Sequence, residues 1–194
     1  MIYRFMFVGF SQEPEKVVLK KNTGCFTSLS QNENWLYLYV EANTETVDPN
    51  TLAEGPMVAF PDGIVWDRAS EIFHYSKPMN ARQWNRKVEN KKPYVRFCRL
   101  KADKISSYIY YHYQLQEERP GDNKHGNRYG VIYLFRDCLI FYTEIPDEKE
   151  TEPHAPGLST HDSPREIWGD IMAPHFNGEW IVLPNPQFTE FIGF

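Results

Sequence analysis

The sequence predicts an α+β protein. Three observations carry the prediction: short aromatic or β-branched runs bounded by turn residues, one long segment of helical periodicity, and an order of segments in the first half that returns in the second. The 194 residues are 41% hydrophobic and 15% aromatic. That apolar surface offsets ordering entropy, so a disordered chain is excluded. A formal net charge of -5 runs against a dedicated nucleic-acid binder, which needs a basic footprint to displace phosphate counterions. Neutral or weakly charged ligands are favoured.

Tyr3 to Phe10, Trp35 to Glu41 and Met57 to Phe60 have strand composition, and the turn Pro61-Asp62-Gly63 leads into Ile64-Val65-Trp66. Glu71 to Tyr75 closes the first half as a further strand, and its one helix candidate, Pro14 to Lys21, is barely two turns long. From Ser76 to Lys92 the composition turns polar and basic, which predicts a solvated, partly helical connector. The strand Tyr94 to Leu100 opens the second half and is followed by the clearest helix, about Asp103 to Glu118, stopped by Pro120-Gly121. Ile105, Tyr108, Ile109, His112 and Leu115 recur at helical offsets and share its apolar face. Tyr129 to Leu134 and Leu139 to Ile145 flank a tight turn and form a hairpin. After an acidic, proline-rich loop, Ser163-Pro164-Arg165-Glu166 is a capping box for a short helix ending near Met172. Gln187 to Phe194 is a closing strand.

Cys25, Cys98 and Cys138 are widely spaced and lie in or near apolar runs, so they are expected as buried reduced thiols. Neither a metal site nor a cofactor is expected. His125, His154, His161 and His175 fall in polar loops without ligand spacing and read as solvated. No leader sequence and no run long enough to span a membrane is evident, which predicts a cytoplasmic protein without membrane association.

The halves match in order. Arg4-Phe5 corresponds to Arg96-Phe97, Trp35 to Glu41 to Cys138 to Glu144, and Ser70 to Phe73 to Thr189 to Ile192. A strand-helix-strand-strand-helix-strand unit is ferredoxin-like, and two tandem units pack sheet against sheet as a pseudo-dimeric α+β barrel. The expected division is a degenerate unit at 1–77, a linker at 78–93 and a complete unit at 94–194.

Tyr108 and His112, at i and i+4, sit one above the other and can address two oxygens of one small ring. Histidine, with a pKa near about 6.5, serves as acid or base at neutral pH, whereas a tyrosine hydroxyl more naturally donates or orients. A hydrogen-bonded core histidine is the bland reading of the same pattern.

From Tyr94 to Phe194 the chain resembles the L-rhamnose mutarotases, small dimeric α+β barrels of ferredoxin-like subunits. Four ordered pieces carry the resemblance: a helix bearing Tyr108-Ile109-Tyr110-Tyr111-His112; the aromatic hairpin Tyr129 to Leu134 with Cys138 to Ile145; Asp170-Ile171-Met172-Ala173-Pro174; and Glu190-Phe191-Ile192. Where that family has Trp-Pro-Glu after its histidine, this chain has Gln116-Glu117-Glu118, and a lone Trp168 replaces paired tryptophans ahead of Asp170. The resemblance implies a cofactor-independent aldose 1-epimerase, an isomerase of carbohydrate metabolism acting on a small deoxysugar such as rhamnose. It implies His112 and Tyr108 as the catalytic pair and Tyr129, Tyr133, Trp168 and Glu118 as sugar contacts, in a monomer with an internal pseudo-dimer or in a homodimer. A non-catalytic binding or assembly protein on the same barrel, and a cofactor-free monooxygenase or haem-degrading enzyme, are the alternatives.

Overall fold

The computed structural model describes residues 1–55, 64–75, 84–117, 128–147, 168–184 and 186–190. Its elements are β1 (Tyr3–Phe10), β2 (Val18–Leu19), β3 (Phe26–Asn32), β4 (Trp35–Ala42), β5 (Ala53–Glu54), β6 (Trp66–Arg68), β7 (Ser70–His74), β8 (Lys92–Arg99), α1 (Ile105–Glu117), β9 (Val131–Phe135), β10 (Cys138–Ile145), α2 (Trp168–Met172), β11 (Ile181–Leu183) and β12 (Gln187–Phe188). The architecture is mixed α+β with antiparallel sheets and few helices. One five-stranded sheet runs β12-β3-β4-β1-β6, the other β11-β8-β10-β9-β7, and β2 and β5 form a small ribbon. Neither large sheet closes on itself.

The two large sheets are built alike. Each contains a hairpin followed by its half's first strand and a short edge strand: β3-β4-β1-β6 in one, β9-β10-β8-β11 in the other. Each then takes its fifth strand from the opposite half, β12 beside β3 and β7 beside β9. The hairpins match as well. Asn32 faces Trp35 and Phe135 faces Cys138, so both turns have two residues. The first turn residue has positive φ in each, 51° at Glu33 and 57° at Arg136, as the primed turns that suit strand twist require.

Alternation along the strands sorts the side chains into layers. Met6, Val8, Tyr37 and Tyr39 of the first sheet meet Val95, Phe97, Tyr133, Ile140 and Tyr142 of the second. The outer face of the first sheet, with Phe7, Leu36, Leu38 and Val40, is covered by Val17, Leu52 and Ala53 from the β2–β5 region. The outer face of the second, with Phe73, Ile132 and Leu139, is covered by Tyr108 of α1 and Met172 of α2. Burial on both faces explains why Trp35–Ala42 reads as a nearly unbroken apolar run. No helix among the described residues is long and apolar enough to cross a membrane.

Several expectations are revised. The helix from Pro14 shrinks to a 3-10 turn, Pro14–Lys16, because Val18 and Leu19 pair with β5 instead. β3 was hidden by its polar composition, yet Thr27, Ser28 and Ser30 are buried. The connector is solvated only in part where it is described, at Lys87, Glu89, Asn90 and Lys92. Trp84 and Lys91 are buried, and the Arg86 side chain is only 8% exposed because it enters to neutralise the buried carboxylates Glu41 and Glu144. Met57 to Phe60, the turn after it and the capping box at 163–166 lie outside the described residues.

Candidate functional site

Helix α1 follows a 3-10 turn, Ala102–Lys104, and lays one face on the outer side of the second sheet. Tyr108 and His112 are therefore both buried. Their rings stack with centroids 4.1 Å apart and planes 29° apart. The His112 Nδ1–H donates to the Tyr108 carbonyl at 3.0 Å. A carbonyl can only accept, so the proton sits on Nδ1 and, in the neutral ring, Nε2 is the acceptor. Phe73 of β7 and Trp168 of α2 meet the imidazole edge-on, at 5.2 and 5.1 Å between centroids. Burial pushes the Tyr108 hydroxyl well above the ordinary tyrosine value, which keeps it a neutral donor at any physiological pH.

Three of the anticipated site residues, Tyr108, His112 and Trp168, are thus brought together from segments about sixty residues apart. Tyr133 is not with them. It faces the space between the sheets, its ring 6.4 Å from that of Tyr39. Tyr129 lies beside the buried cation Arg86, whose guanidinium is 4.4 Å from its ring, and donates its hydroxyl to the Asn85 carbonyl at 3.2 Å. Glu118 lies outside the described residues.

The sequence missed two members of this neighbourhood. Phe73 belongs to a strand of the other half, and only the strand exchange places it against His112. His175 was expected in solvent but is buried against α1. Its Nδ1 is 3.3 Å from the Met172 carbonyl, its Nε2 is 2.8 Å from Ser107 Oγ, and its ring is 5.9 Å from Tyr108. Ser107 Oγ also lies 3.1 Å from the Lys104 carbonyl, and its contact with His175 ties the 3-10 turn after α2 to α1. The other three loop histidines, His125, His154 and His161, lie outside the described residues.

A second polar group lies between the sheets. Arg86 donates to Glu41 at 2.7 Å and to Glu144 at 2.6 Å, and Lys91 reaches Glu144 at 3.9 Å. Arg4, directly opposite Glu41 in the β1–β4 register, lies 3.6 Å from Glu71. The three cysteines are free thiols, but only Cys98 is buried as expected, while Cys25 and Cys138 are partly exposed. Among the described residues no cluster of His, Cys, Asp and Glu has the geometry to hold a metal ion. Comparison with known proteins gives no match: no family model, no curated protein and no solved structure is similar to the chain.

Proposed function

We propose that the chain is a cofactor-independent aldose 1-epimerase of small deoxysugars, working at the helix-side cluster of Tyr108, His112 and Trp168. The observation that carries this is the tautomer of His112: the Tyr108 carbonyl holds the proton on Nδ1, which assigns Nε2 the role of proton acceptor. In the reaction Nε2 takes the proton of the anomeric hydroxyl as the ring C–O bond breaks, and the ring oxygen is protonated by the Tyr108 hydroxyl. Rotation about the C1–C2 bond and the reverse transfers close the other anomer. Trp168, which is only partly buried, supplies the flat apolar face that a sugar's C–H groups pack against.

The strand order supports the accompanying fold reading. Numbered within its own half, each sheet has the order 2-3-1-4 with all neighbours antiparallel, the arrangement of a ferredoxin-like unit, and the second half carries its helices after strands 1 and 3. The exchanged edge strands suit a pseudo-dimer within one chain.

Saturation-transfer NMR on L-rhamnose and related deoxysugars tests the activity. Anomer exchange accelerated by the protein and lost in His112→Ala is the expected result, and equal exchange with and without protein overturns it. The burial of His112, only 4% exposed, favours a second reading in which the same fold binds a small molecule without turnover. That reading gives ligand-induced thermal stabilisation with no accelerated exchange.

A further inference from the structure

The turns of the hairpins β3–β4 and β9–β10 lie at the same end of the molecule. A cavity of about 410 Å³ opens there, on the face of the second sheet opposite His112. Its walls are aromatic. Tyr37 and Phe97 stack at 5.9 Å, one from each sheet, and Trp35 faces Phe135 at 6.5 Å. In the middle of the molecule such inward side chains are sealed by the opposing sheet, but here Trp35 and Phe135 are only half-buried.

The opening is ringed by polar groups of every kind. Asn32 and Asn177 offer amides, Arg99 donates to both carboxylate oxygens of Asp137 at 3.1 and 2.9 Å, and Glu33, Arg136 and Glu179 add further charges to the lining. Two arginines, Arg99 and Arg136, stand against three carboxylates, Glu33, Asp137 and Glu179, so neither sign dominates strongly. A strongly anionic ligand such as a nucleotide would meet more carboxylates than arginines there. The volume lies at the small end of the roughly 300–1,000 Å³ typical of ligand sites. Burial pushes the Cys138 thiol in the wall up to about 12, so near neutral pH it is protonated and serves as apolar surface.

We infer that this hairpin-end cavity is a binding site for a neutral, polyhydroxylated ring of one or two sugar units. Its apolar C–H face packs on Trp35 and Phe135, and its hydroxyls meet the amides and the Arg99–Asp137 pair. The inference does not depend on catalysis at His112, because the second sheet separates the two places. A purely aromatic ligand would use the walls and leave the rim unpaired.

Amide chemical-shift mapping distinguishes these cases, with L-rhamnose, D-glucose and maltose as sugars and indole as the aromatic probe. A sugar is expected to shift the amides of Asn32, Trp35, Phe135 and Asn177, in wild type and in His112→Ala alike. Trp35→Ala should weaken that binding by at least roughly tenfold, about 1.4 kcal/mol. Asn32→Ala, a rim change that leaves the packing intact, should weaken it measurably. Shifts confined to the α1 face, binding of indole but of none of the sugars, or sugar affinity unaltered by Asn32→Ala in a folded protein would each overturn the inference. Loss of anomer exchange in His112→Ala with sugar still bound at Trp35 separates this site from the proposed epimerase site.

Discussion

Tyr39 and Tyr142 stack face to face across the gap between the two sheets, with ring centroids 3.5 Å apart and planes within 13°. Each donates its hydroxyl to the glutamate two residues further along its own strand, Tyr39 to Glu41 at 2.9 Å and Tyr142 to Glu144 at 3.1 Å. Both carboxylates then converge on Arg86. One guanidinium from the connecting segment thereby joins two equivalent Tyr-x-Glu strands.

Removing that guanidinium should be costly. Arg86→Met leaves two carboxylates in a buried site, with Lys91 still 3.9 Å from Glu144, and loss of one partner from a buried ion pair costs about 3–5 kcal/mol. Urea unfolding of Arg86→Met is the measurement. The triple variant with Glu41→Gln and Glu144→Gln should recover part of the loss, since the stranded charges are then gone as well.

Catalysis, if it resides on α1, should separate chemistry from packing. Tyr108→Phe keeps the stacked ring and should leave the thermal midpoint nearly unchanged while lowering kcat for anomer exchange. His112→Ala should lower kcat by about 10²–10⁴-fold, the usual contribution of a positioned acid or base. Equal kcat in wild type and Tyr108→Phe would remove the phenol from the reaction.

Gly9 sits opposite Trp66 in the β1–β6 register. A Cβ there would lie 2.7 Å from Trp66 Cε3 and 2.8 Å from Cζ3. Gly9→Ala should therefore destabilise by about 1–3 kcal/mol through overpacking. Trp66→Phe in the same chain should relieve much of it, which thermal denaturation of the single and double variants would show.

The thiol of Cys138 should report on folding through its titration. Burial raises it to about 12 from an ordinary 9.0. Below pH 9 the group is protonated in both folded and unfolded chains and has no effect on stability. Between about 9 and 12 only the unfolded chain gives up the proton, so stability should fall as pH rises through that window. Cys138→Ala should lessen that decline. In native protein near neutral pH, Cys138 should react with a thiol-reactive dye more slowly than it does once denaturant is added.

Strong local signals survived the passage from sequence to structure. Tyr3–Phe10 is β1 residue for residue, and the helix expected from Asp103 to Glu118 is α1 with one turn of 3-10 helix at its start. The pairing of Tyr108 with His112 was legible because i and i+4 spacing is a property of the helix alone. What escaped depends on distant partners. Ser28 and Ser30 look like surface residues until β4 and β12 are placed beside β3. Arg86 looks solvated until Glu41 and Glu144 are brought within reach. Strand period 2 alone does not reveal which face looks inward, and Tyr133, a sugar contact only by the resemblance, faces the space between the sheets and not His112.

The exchange of edge strands has a consequence for biosynthesis. Gln187 pairs with Leu29, some 158 positions earlier, and the strand that flanks β9 is made before β9 exists. As the polypeptide leaves the ribosome, β3 must wait with an open flank while nearly all the remaining chain is translated. Contacts of such long reach slow assembly, and an unpaired strand invites wrong neighbours. Nascent chains halted before residue 187 should accordingly lean on chaperones more heavily than the finished protein does.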